Sequence, residues 1–161
     1  MPRAYKQYHF VAEAFAVQKG KVLLVRHRKL NMWLPPGGHM ETRGGLFIES
    51  PEDCAKREVL EETGVKVQIV GPAYPKRSGR RPPLYVPPEM HIHPIDDEHD
   101  HFGFDYFARP LKGQKLVPKG DEEGRWFSKK ELKAARNGML DGTRIPPGVL
   151  VAALRAIAAV D

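Results

Sequence analysis

One segment, Ser50 to Gly64, constrains the fold of this chain more than any other, because it carries its own start and stop signals for a helix. Ser50 is a favourable N-cap, Pro51 suits the first helical position, and Asp53 completes a weaker form of the capping box. Gly64 stands where a left-handed C-terminal cap belongs. These signals predict an α-helix over residues 51–63.

The predicted helix carries three glutamates on one side. Glu58, Glu61 and Glu62 are spaced i, i+3 and i+4, which places them within ~100° of one another around the axis. Like charges at this spacing destabilise a helix by roughly 0.2–0.5 kcal/mol per pair. A hard divalent cation such as Mg²⁺ offsets that cost, because it prefers oxygen ligands. The spacing alone leaves open whether the glutamates bind metal or form a solvated acidic face.

The residues around these glutamates resemble the signature of the Nudix hydrolase family. Residues 57–65, Arg-Glu-Val-Leu-Glu-Glu-Thr-Gly-Val, match its core REUxEExGU, in which U is an aliphatic residue. Glu49 precedes Arg57 by the required seven intervening residues, and residues 33–39 (WLPPGGH) resemble the approach to the signature. The departure is a five-residue insertion, since ten residues rather than five separate Gly38 from Glu49.

The resemblance implies a fold and an activity. The implied fold is α+β, a Nudix-type α/β/α sandwich with a mixed β-sheet, formed by a single domain over residues 1–161 with residues 1–8 as a flexible arm. The implied enzyme is a pyrophosphohydrolase that uses Mg²⁺ or Mn²⁺ and directs water at phosphorus. Its substrate would be a small nucleoside diphosphate derivative, such as a nucleotide sugar, an ADP-ribose-like compound or a nucleoside triphosphate.

The resemblance also implies roles for individual residues. The implied catalytic residues are Glu49, Arg57, Glu58, Glu61, Glu62 and Glu98. Within this set Arg57 pairs with Glu49 to orient the helix, and Glu61 and Glu62 are the principal metal ligands. Glu58, Glu98 and the backbone carbonyl of Gly38 complete the expected metal site. The expected substrate-binding residues are Arg26, Arg28, Trp33, Gly37 and Gly38.

The charge of the chain is unevenly distributed. The formal net charge is +6, but residues 49–62 hold six acids and two bases, and residues 96–105 hold five acids without Lys or Arg. The other 137 residues carry a net charge of +15. Two acidic segments within a basic chain favour metal sites that serve an anionic substrate.

The second acidic segment includes the sequence DDEHDH at residues 96–101. Family members often take an extra metal ligand or a general base from this part of the chain, and Glu98 is our first choice, followed by Asp97, His99, Asp100 and His101. Four of the seven histidines fall within residues 91–101. They could bind a transition metal, but we favour a polar loop beside an acidic site. Asp105 could face either the site or solvent.

Periodicity and turn residues predict the remaining elements. Strands are expected over residues 9–18, 21–27, 65–70, 102–108 and 125–127, and helices over residues 129–136 and 148–160. Residues 31–39 and 71–95 contain many prolines, glycines or basic residues and are predicted to be loops.

Two other functions remain open at this stage. The basic cluster at residues 76–81 and the pI of about 9.5 would suit removal of 5′ pyrophosphate from RNA. The third hypothesis is a domain that senses a nucleotide without hydrolysing it. Pure binding, however, does not need all three helix glutamates. A small-molecule substrate is favoured over RNA, and a homodimer is a possible assembly.

The location of the chain is also an expectation. Its single cysteine, Cys54, excludes an intramolecular disulfide and a cysteine-based zinc site. The opening residues do not resemble a secretory signal, and the longest apolar stretches are far shorter than the ~20 residues of a membrane span. We therefore expect a cytoplasmic protein without a membrane partner.

Overall fold

The computed structural model describes residues 6–75, 84–115, 123–135 and 137–161. Within these ranges the helices are α1 (Pro51–Thr63), α2 (Lys129–Ala134) and α3 (Pro147–Val160). The strands are β1 (Gln7–Gln18), β2 (Lys21–His27), β3 (Met32–Leu34), β4 (Gly37–His39), β5 (Thr42–Arg43), β6 (Leu46–Phe47), β7 (Val67–Val70), β8 (Glu89–Pro94), β9 (His99–Pro110), β10 (Glu123–Ser128), β11 (Met139–Leu140) and β12 (Thr143–Arg144). No described helix has both the length and the apolar character needed to cross a membrane.

A mixed sheet forms the centre of the molecule. The long strands β1 and β9 pair in parallel, and their register places Glu13 opposite Asp105 and His9 opposite His101. The antiparallel partners of β1 are β4 and the hairpin strand β2, while β7 and β8 pair with the other edge of β9. Strand β10 pairs with the edge of β2 opposite β1, and β3 pairs farther along β2 on the same edge as β1.

The two faces of the sheet are covered by different helices. Alternate residues of β1 point to opposite faces, so Ala14 and Ala16 pack beneath α1, whereas Phe15 and Val17 pack beneath α3. Each face therefore has its own apolar core. The α/β/α sandwich with a mixed sheet is confirmed.

Helix α1 begins and ends as its sequence predicts. The Ser50 side chain accepts a hydrogen bond from the Asp53 amide at 3.2 Å, and Gly64 adopts a φ of +72°, from which its amide donates to the Leu60 carbonyl at 2.9 Å. Both caps satisfy backbone groups that a helix end would otherwise leave unpaired. The observed bounds, Pro51–Thr63, are those predicted.

Several strands lie where loops were predicted. Strand β8 lies inside the predicted loop 71–95; its exposed residues alternate with partly buried histidines and Glu89, so it lacks the apolar run typical of a strand. The predicted loop 31–39 contains β3 and β4, two three-residue strands on either side of Pro35 and Pro36. The predicted arm 1–8 is partly wrong as well, because β1 already begins at Gln7, while residues 1–5 lie outside the described residues.

The segment assigned to the insertion forms a separate hairpin. Strands β5 and β6 are joined by Gly44 and Gly45, whose φ values of +58° and +77° suit the tight turn. The Ile48 amide donates to the Glu41 carbonyl at 3.1 Å and closes the hairpin at its base. Glu49 therefore returns to the base of the hairpin, where its carboxylate accepts a hydrogen bond from the Glu41 amide at 2.7 Å.

Candidate active site

Arg57, in the middle of α1, is the centre of an ion-pair network. Its Nη2 and Nε atoms donate to the two carboxylate oxygens of Glu49 at 2.7 and 3.1 Å, which makes a bidentate pair. Nη1 donates to Glu58 at 2.6 Å and to Glu61 at 3.1 Å, and Nη2 reaches the His39 carbonyl at 3.0 Å. One side chain therefore ties α1 to Glu49 and to β4.

This network sets the charge of its members. Hydrogen bonding to Glu49 raises the pKa of Arg57. Burial lowers this pKa, but its effect is smaller. Burial disfavours the charged form of Glu49, but the hydrogen bonds from Arg57 and the Glu41 amide outweigh it and lower the pKa of Glu49. Burial raises the pKa of Glu58, and the charges of Glu61 and Glu49 add to that rise while Arg57 opposes it. Additional positive charge beside Glu58 would therefore stabilise its ionised form.

The Glu58 carboxylate lies directly against Gly38 of β4. A Cβ atom at Gly38 would lie 2.5 Å from Glu58 Oε1, a distance that only the absence of a side chain permits. From α1, the buried Cys54 Sγ donates a weak hydrogen bond to the Gly38 carbonyl at 3.5 Å. Burial raises the pKa of Cys54 to about 12, so it is a thiol that packs and does not act as a nucleophile.

A cavity of about 250 Å³ opens beside these groups. Glu62 enters it from α1, Gly37 and Gly38 form part of its wall on β4, and Glu13 contributes from β1. Glu61 lies instead on the outer side of α1, where its side chain is 56% exposed and contacts Arg57. Of the three helix glutamates, Glu62 lines the cavity, Glu58 packs against Gly38, and Glu61 lies on the outer side of α1.

Glu13 and Asp105 form a pair of carboxyls at the floor of the site. They are aligned on the parallel strands β1 and β9, and Asp105 is only 5% exposed. Burial, followed by the charge of Asp105, raises the pKa of Glu13, and burial raises the pKa of Asp105. A Cβ atom on Gly37 would lie 2.5 Å from Glu13 Cγ, so this glycine also makes room for a carboxyl-bearing side chain. Asp105 therefore faces the protein interior and not solvent.

A comparison with protein families decides what this arrangement belongs to. The sequence model of the NUDIX domain matches residues 8–144, which include every element from β1 to β12 except the first residue of β1. The chain belongs to the Nudix family. The expected Nudix pyrophosphohydrolase is confirmed at this level.

Solved structures agree with the assignment. A NUDIX-family hydrolase from Clostridium perfringens is 30% identical, with a TM-score of 0.74 over 95% of this chain and 98% of that one. A UDP-X diphosphatase is 18% identical, with a TM-score of 0.60 over 96% of this chain and 64% of that one. An ADP-ribose pyrophosphatase from Streptococcus suis is 19% identical, with a TM-score of 0.57 over 95% of this chain and 94% of that one. The last two show the fold alone.

Glu98 does not reach the Nudix glutamates. It lies exposed in the turn between β8 and β9, where its amide donates to Asp96 and its carbonyl accepts from Gln7. From Gln7 to Glu13, strand β1 advances six residues, or roughly 20 Å. The expectation that Glu98 supplies an extra ligand or base is therefore corrected, and Glu13 is the acid that lines the cavity with Glu62.

Trp33 also requires a correction. Its side chain is 2% exposed, its Nε1 donates to the Leu140 carbonyl at 3.1 Å, and its ring packs edge-on against Phe127. In the three-residue strand β3 the middle side chain points into the core, whereas its neighbours remain partly accessible. Trp33 therefore stabilises the Nudix core and leaves no face for a substrate base.

Arg26 and Arg28 lie outside the cavity that Glu62 lines. Val25 and His27 of β2 line that cavity, and alternation along the strand turns Arg26 to the opposite side. There Arg26 and Arg28 border a separate open depression of about 460 Å³, in which Arg26 donates to Asn31 at 2.9 Å. The structure thus does not bring these two arginines, which were expected to bind substrate, together with the Nudix glutamates. The basic cluster at residues 76–81 lies outside the described residues.

All seven histidines of the chain lie in the described ranges, and six share one face of the sheet. The pairings of β1 with β4 and β9, and of β8 with β9, place His9, His39, His91, His93, His99 and His101 on that face. Burial and the neighbouring rings lower the pKa of His101 to about 4, and burial also lowers the pKa of His39. These two rings are therefore neutral at pH 7.

The structure adds site residues that the sequence reasoning missed. Glu13, His9 and His39 were not singled out, because nothing in their local sequence indicates which strands become neighbours. Glu13 does carry one signal, since it is the only charged residue in the apolar run 10–17. A lone acid in a strand that is otherwise buried is unfavourable unless a site needs it.

Proposed function

We propose that this Nudix protein uses Mg²⁺ or Mn²⁺ to hydrolyse the diphosphate linkage of a small nucleoside diphosphate derivative, with water attacking phosphorus. The observation that carries the proposal is the joint placement of Glu58 and Glu62 of α1 beside the glycine segment of β4. These carboxylates and a backbone carbonyl offer only oxygen donors, which suit a hard divalent cation.

The fit of a metal is supported by the space around Gly38. The Glu58 carboxylate occupies the position that a side chain on Gly38 would fill, so the carboxylate lies directly against this residue of β4. Glu58, Glu61, Glu62 and the Gly38 carbonyl are the groups that would hold Mg²⁺ or Mn²⁺. When bound, the cation would neutralise the diphosphate and lower the pKa of water.

Arg57 is a positioning residue in this proposal. It holds Glu58 and Glu61 through Nη1, and its bidentate contact with Glu49 fixes the guanidinium. Nη2 also donates to the His39 carbonyl, and this hydrogen bond holds β4 against α1. The carboxylates are thereby oriented before a cation arrives, and binding energy is not spent on ordering them.

The size of the cavity and the names of two neighbours support the proposed class of substrate. The volume of about 250 Å³ is close to the lower end of small-molecule sites, which suits a diphosphate with part of its organic groups. Two neighbours that share the fold are named as a UDP-X diphosphatase and an ADP-ribose pyrophosphatase. Both names describe diphosphate cleavage, which supports a nucleoside diphosphate linked to a second group as the substrate.

A metal-supplemented substrate panel tests the proposal. The purified protein is incubated with UDP-sugars, ADP-ribose, nucleoside triphosphates and 5′-triphosphorylated RNA, each with Mg²⁺, with Mn²⁺ and with a chelator. We expect hydrolysis of a nucleoside diphosphate derivative that requires the metal and yields two phosphorylated products. Preferential hydrolysis of the RNA would contradict the substrate assignment, and tight binding without turnover would favour a sensor.

A further inference from the structure

Three histidines from three strands converge on the face of the sheet that carries Glu13. His9 on β1, His39 on β4 and His101 on β9 each present a ring nitrogen, and these atoms all lie within 4.8 Å of one another. The ring centroids of His39 and His101 are 4.8 Å apart, with the planes at 88°. The His39 ring therefore lies edge-on to both other rings, which are themselves nearly parallel, with planes at 24° and centroids 6.3 Å apart.

We propose that His9, His39 and His101 bind one transition-metal ion, with Zn²⁺ as the first candidate, at a site separate from the carboxylates of α1. The proposal does not depend on the hydrolytic function. Around a tetrahedral Zn²⁺ with Zn–N bonds of about 2.0–2.1 Å, two ligand nitrogens are roughly 3.4 Å apart. The present separations of up to 4.8 Å need only small rotations of the imidazoles.

The backbone fixes this geometry. Strand pairing aligns His9 with His101 and His39 with Val11, so the three ligands project from adjacent strands on one face. Ligands on strands are held more exactly than ligands on loops. The site therefore needs no folding of a loop to form.

Two neighbouring residues restrict the orientation of the His9 ring. His99 stacks on His9, with centroids 4.1 Å apart and planes at 28°, and His99 Nδ1 lies 2.9 Å from Asp96 Oδ1. A carboxylate thus holds His99, and His99 holds the plane of His9. Such outer contacts orient metal ligands and tune their affinity.

The donor chemistry separates this site from the one on α1. Residue 38 offers its carbonyl among the carboxylates, whereas the next residue, His39, points to the opposite face of β4. Imidazole nitrogens favour Zn²⁺ and related ions over Mg²⁺, and carboxylate oxygens favour Mg²⁺. His39, His101 and Glu62 all line one cavity, so the fourth position of a three-histidine site would face the substrate space.

Metal analysis under competition tests the proposal. The protein is stripped with a chelator, dialysed against Zn²⁺ in the presence of excess Mg²⁺, and its zinc content is measured. We expect one Zn²⁺ per chain, and X-ray absorption at the zinc edge should show three imidazole nitrogens. Both measurements use the wild-type protein, so neither depends on how variants fold.

Variants then locate the ion. His39→Gln and His101→Gln should each weaken Zn²⁺ binding by more than about 100-fold, because loss of a ligand exceeds the 10–100-fold effect of losing an outer contact. His27→Gln, which alters a histidine that lines the same cavity but is not one of the three, should retain Zn²⁺, and so should Glu62→Gln even if it loses all hydrolysis. Zinc that is lost with Glu62→Gln but retained by both histidine variants would overturn the proposal. Absence of zinc from the wild type, or an edge spectrum dominated by oxygen ligands, would also overturn it.

Discussion

The two faces of β4 offer different ligands. On one face the Glu58 carboxylate lies against Gly38, and Arg57 already supplies positive charge to the acidic cluster. On the other face His39 meets His9 and His101, and mutual repulsion with burial keeps His39 and His101 neutral. A three-residue strand can therefore separate an oxygen site from a nitrogen site, because successive side chains point in opposite directions.

The difference teaches what each face requires in order to remain folded without an ion. Clustered carboxylates repel one another, so the α1 face needs Arg57 as an internal counter-ion. The imidazoles need no such partner, because they can be neutral at pH 7. The α1 face should therefore be sensitive to substitutions that remove charge or space, whereas the histidine face should respond mainly to metal.

The largest expected effect is on the α1 face itself. Glu62→Gln should reduce kcat by at least about 10²–10³-fold, the scale of removing one electrostatic stabiliser of a reaction centre. Glu123→Gln, at an exposed position on β10, is the matched control and should keep normal turnover. Steady-state kinetics with Mg²⁺ measures both, and circular dichroism checks the fold. Near-normal turnover of Glu62→Gln would remove this glutamate from the site.

The space at Gly38 should have the next largest effect. In Gly38→Ala the new Cβ would lie 2.5 Å from Glu58 Oε1 and push the carboxylate aside. A displacement on the order of 1 Å can lower a rate by about 10²-fold. Gly148→Ala is the control, because a Cβ at that position of α3 would point into open space. Equal turnover in the two variants would show that the close approach at Gly38 has no functional role.

Arg57→Lys should have a mixed effect on stability and rate. A lysine cannot keep the bidentate pair with Glu49 while it also binds Glu58 and Glu61, so unfolding should require about 1–3 kcal/mol less. We expect kcat to fall more than KM rises, because Arg57 acts by positioning Glu58 and Glu61. Glu49→Gln should reproduce part of the loss, and the double variant should be less than additive. Full additivity would contradict a shared network.

The lowered pKa of Glu49 predicts how the free energy of unfolding depends on pH. Its pKa is lowered in the folded protein, so its contribution is present above the unfolded pKa of about 4.3 and is lost as pH falls through the folded value. Acid titration of the free energy of unfolding should therefore show a smaller decline for Arg57→Lys than for the wild type. Identical acid profiles would argue that the ion pair contributes nothing to stability.

The smallest expected effect concerns Glu13 and Asp105, the paired carboxyls on the histidine face. Burial raises the pKa of Glu13 and Asp105, so the folded state holds protons that the unfolded chain releases, and stability falls as pH rises from about 4 through the folded pKa values. Glu13→Gln should therefore raise Tm at pH 8 and change it less at pH 5. A larger gain at pH 5 would reverse the sign and contradict the assignment.

The chemistry of α1 could be predicted because it is contiguous in the sequence. The caps, the spacing of Glu58, Glu61 and Glu62, and the partner of Arg57 all lie within residues 49–64. The structure places Arg57 on Glu49, and the resemblance to the Nudix family predicted the layered fold. Local spacing is sufficient wherever one helix carries the whole pattern.

The opposite face could not be predicted in the same way. His9, His39 and His101 are separated by 30 and 62 positions, and only the register of β1 with β4 and β9 brings them together. Glu98 failed for a related reason, since the acidic turn before β9 lies beside Gln7, at the start of β1 and far along that strand from Glu13. Trp33 failed because a short strand turned its ring into the core.

The most direct test of the central claim is hydrolysis in water labelled with ¹⁸O. The substrate that the panel identifies is incubated with the protein and Mg²⁺, and the products are examined by mass spectrometry. We predict two phosphorylated products, one of which carries a single ¹⁸O atom on phosphorus. Label on carbon, or products without label on phosphorus, would contradict water attack at the diphosphate.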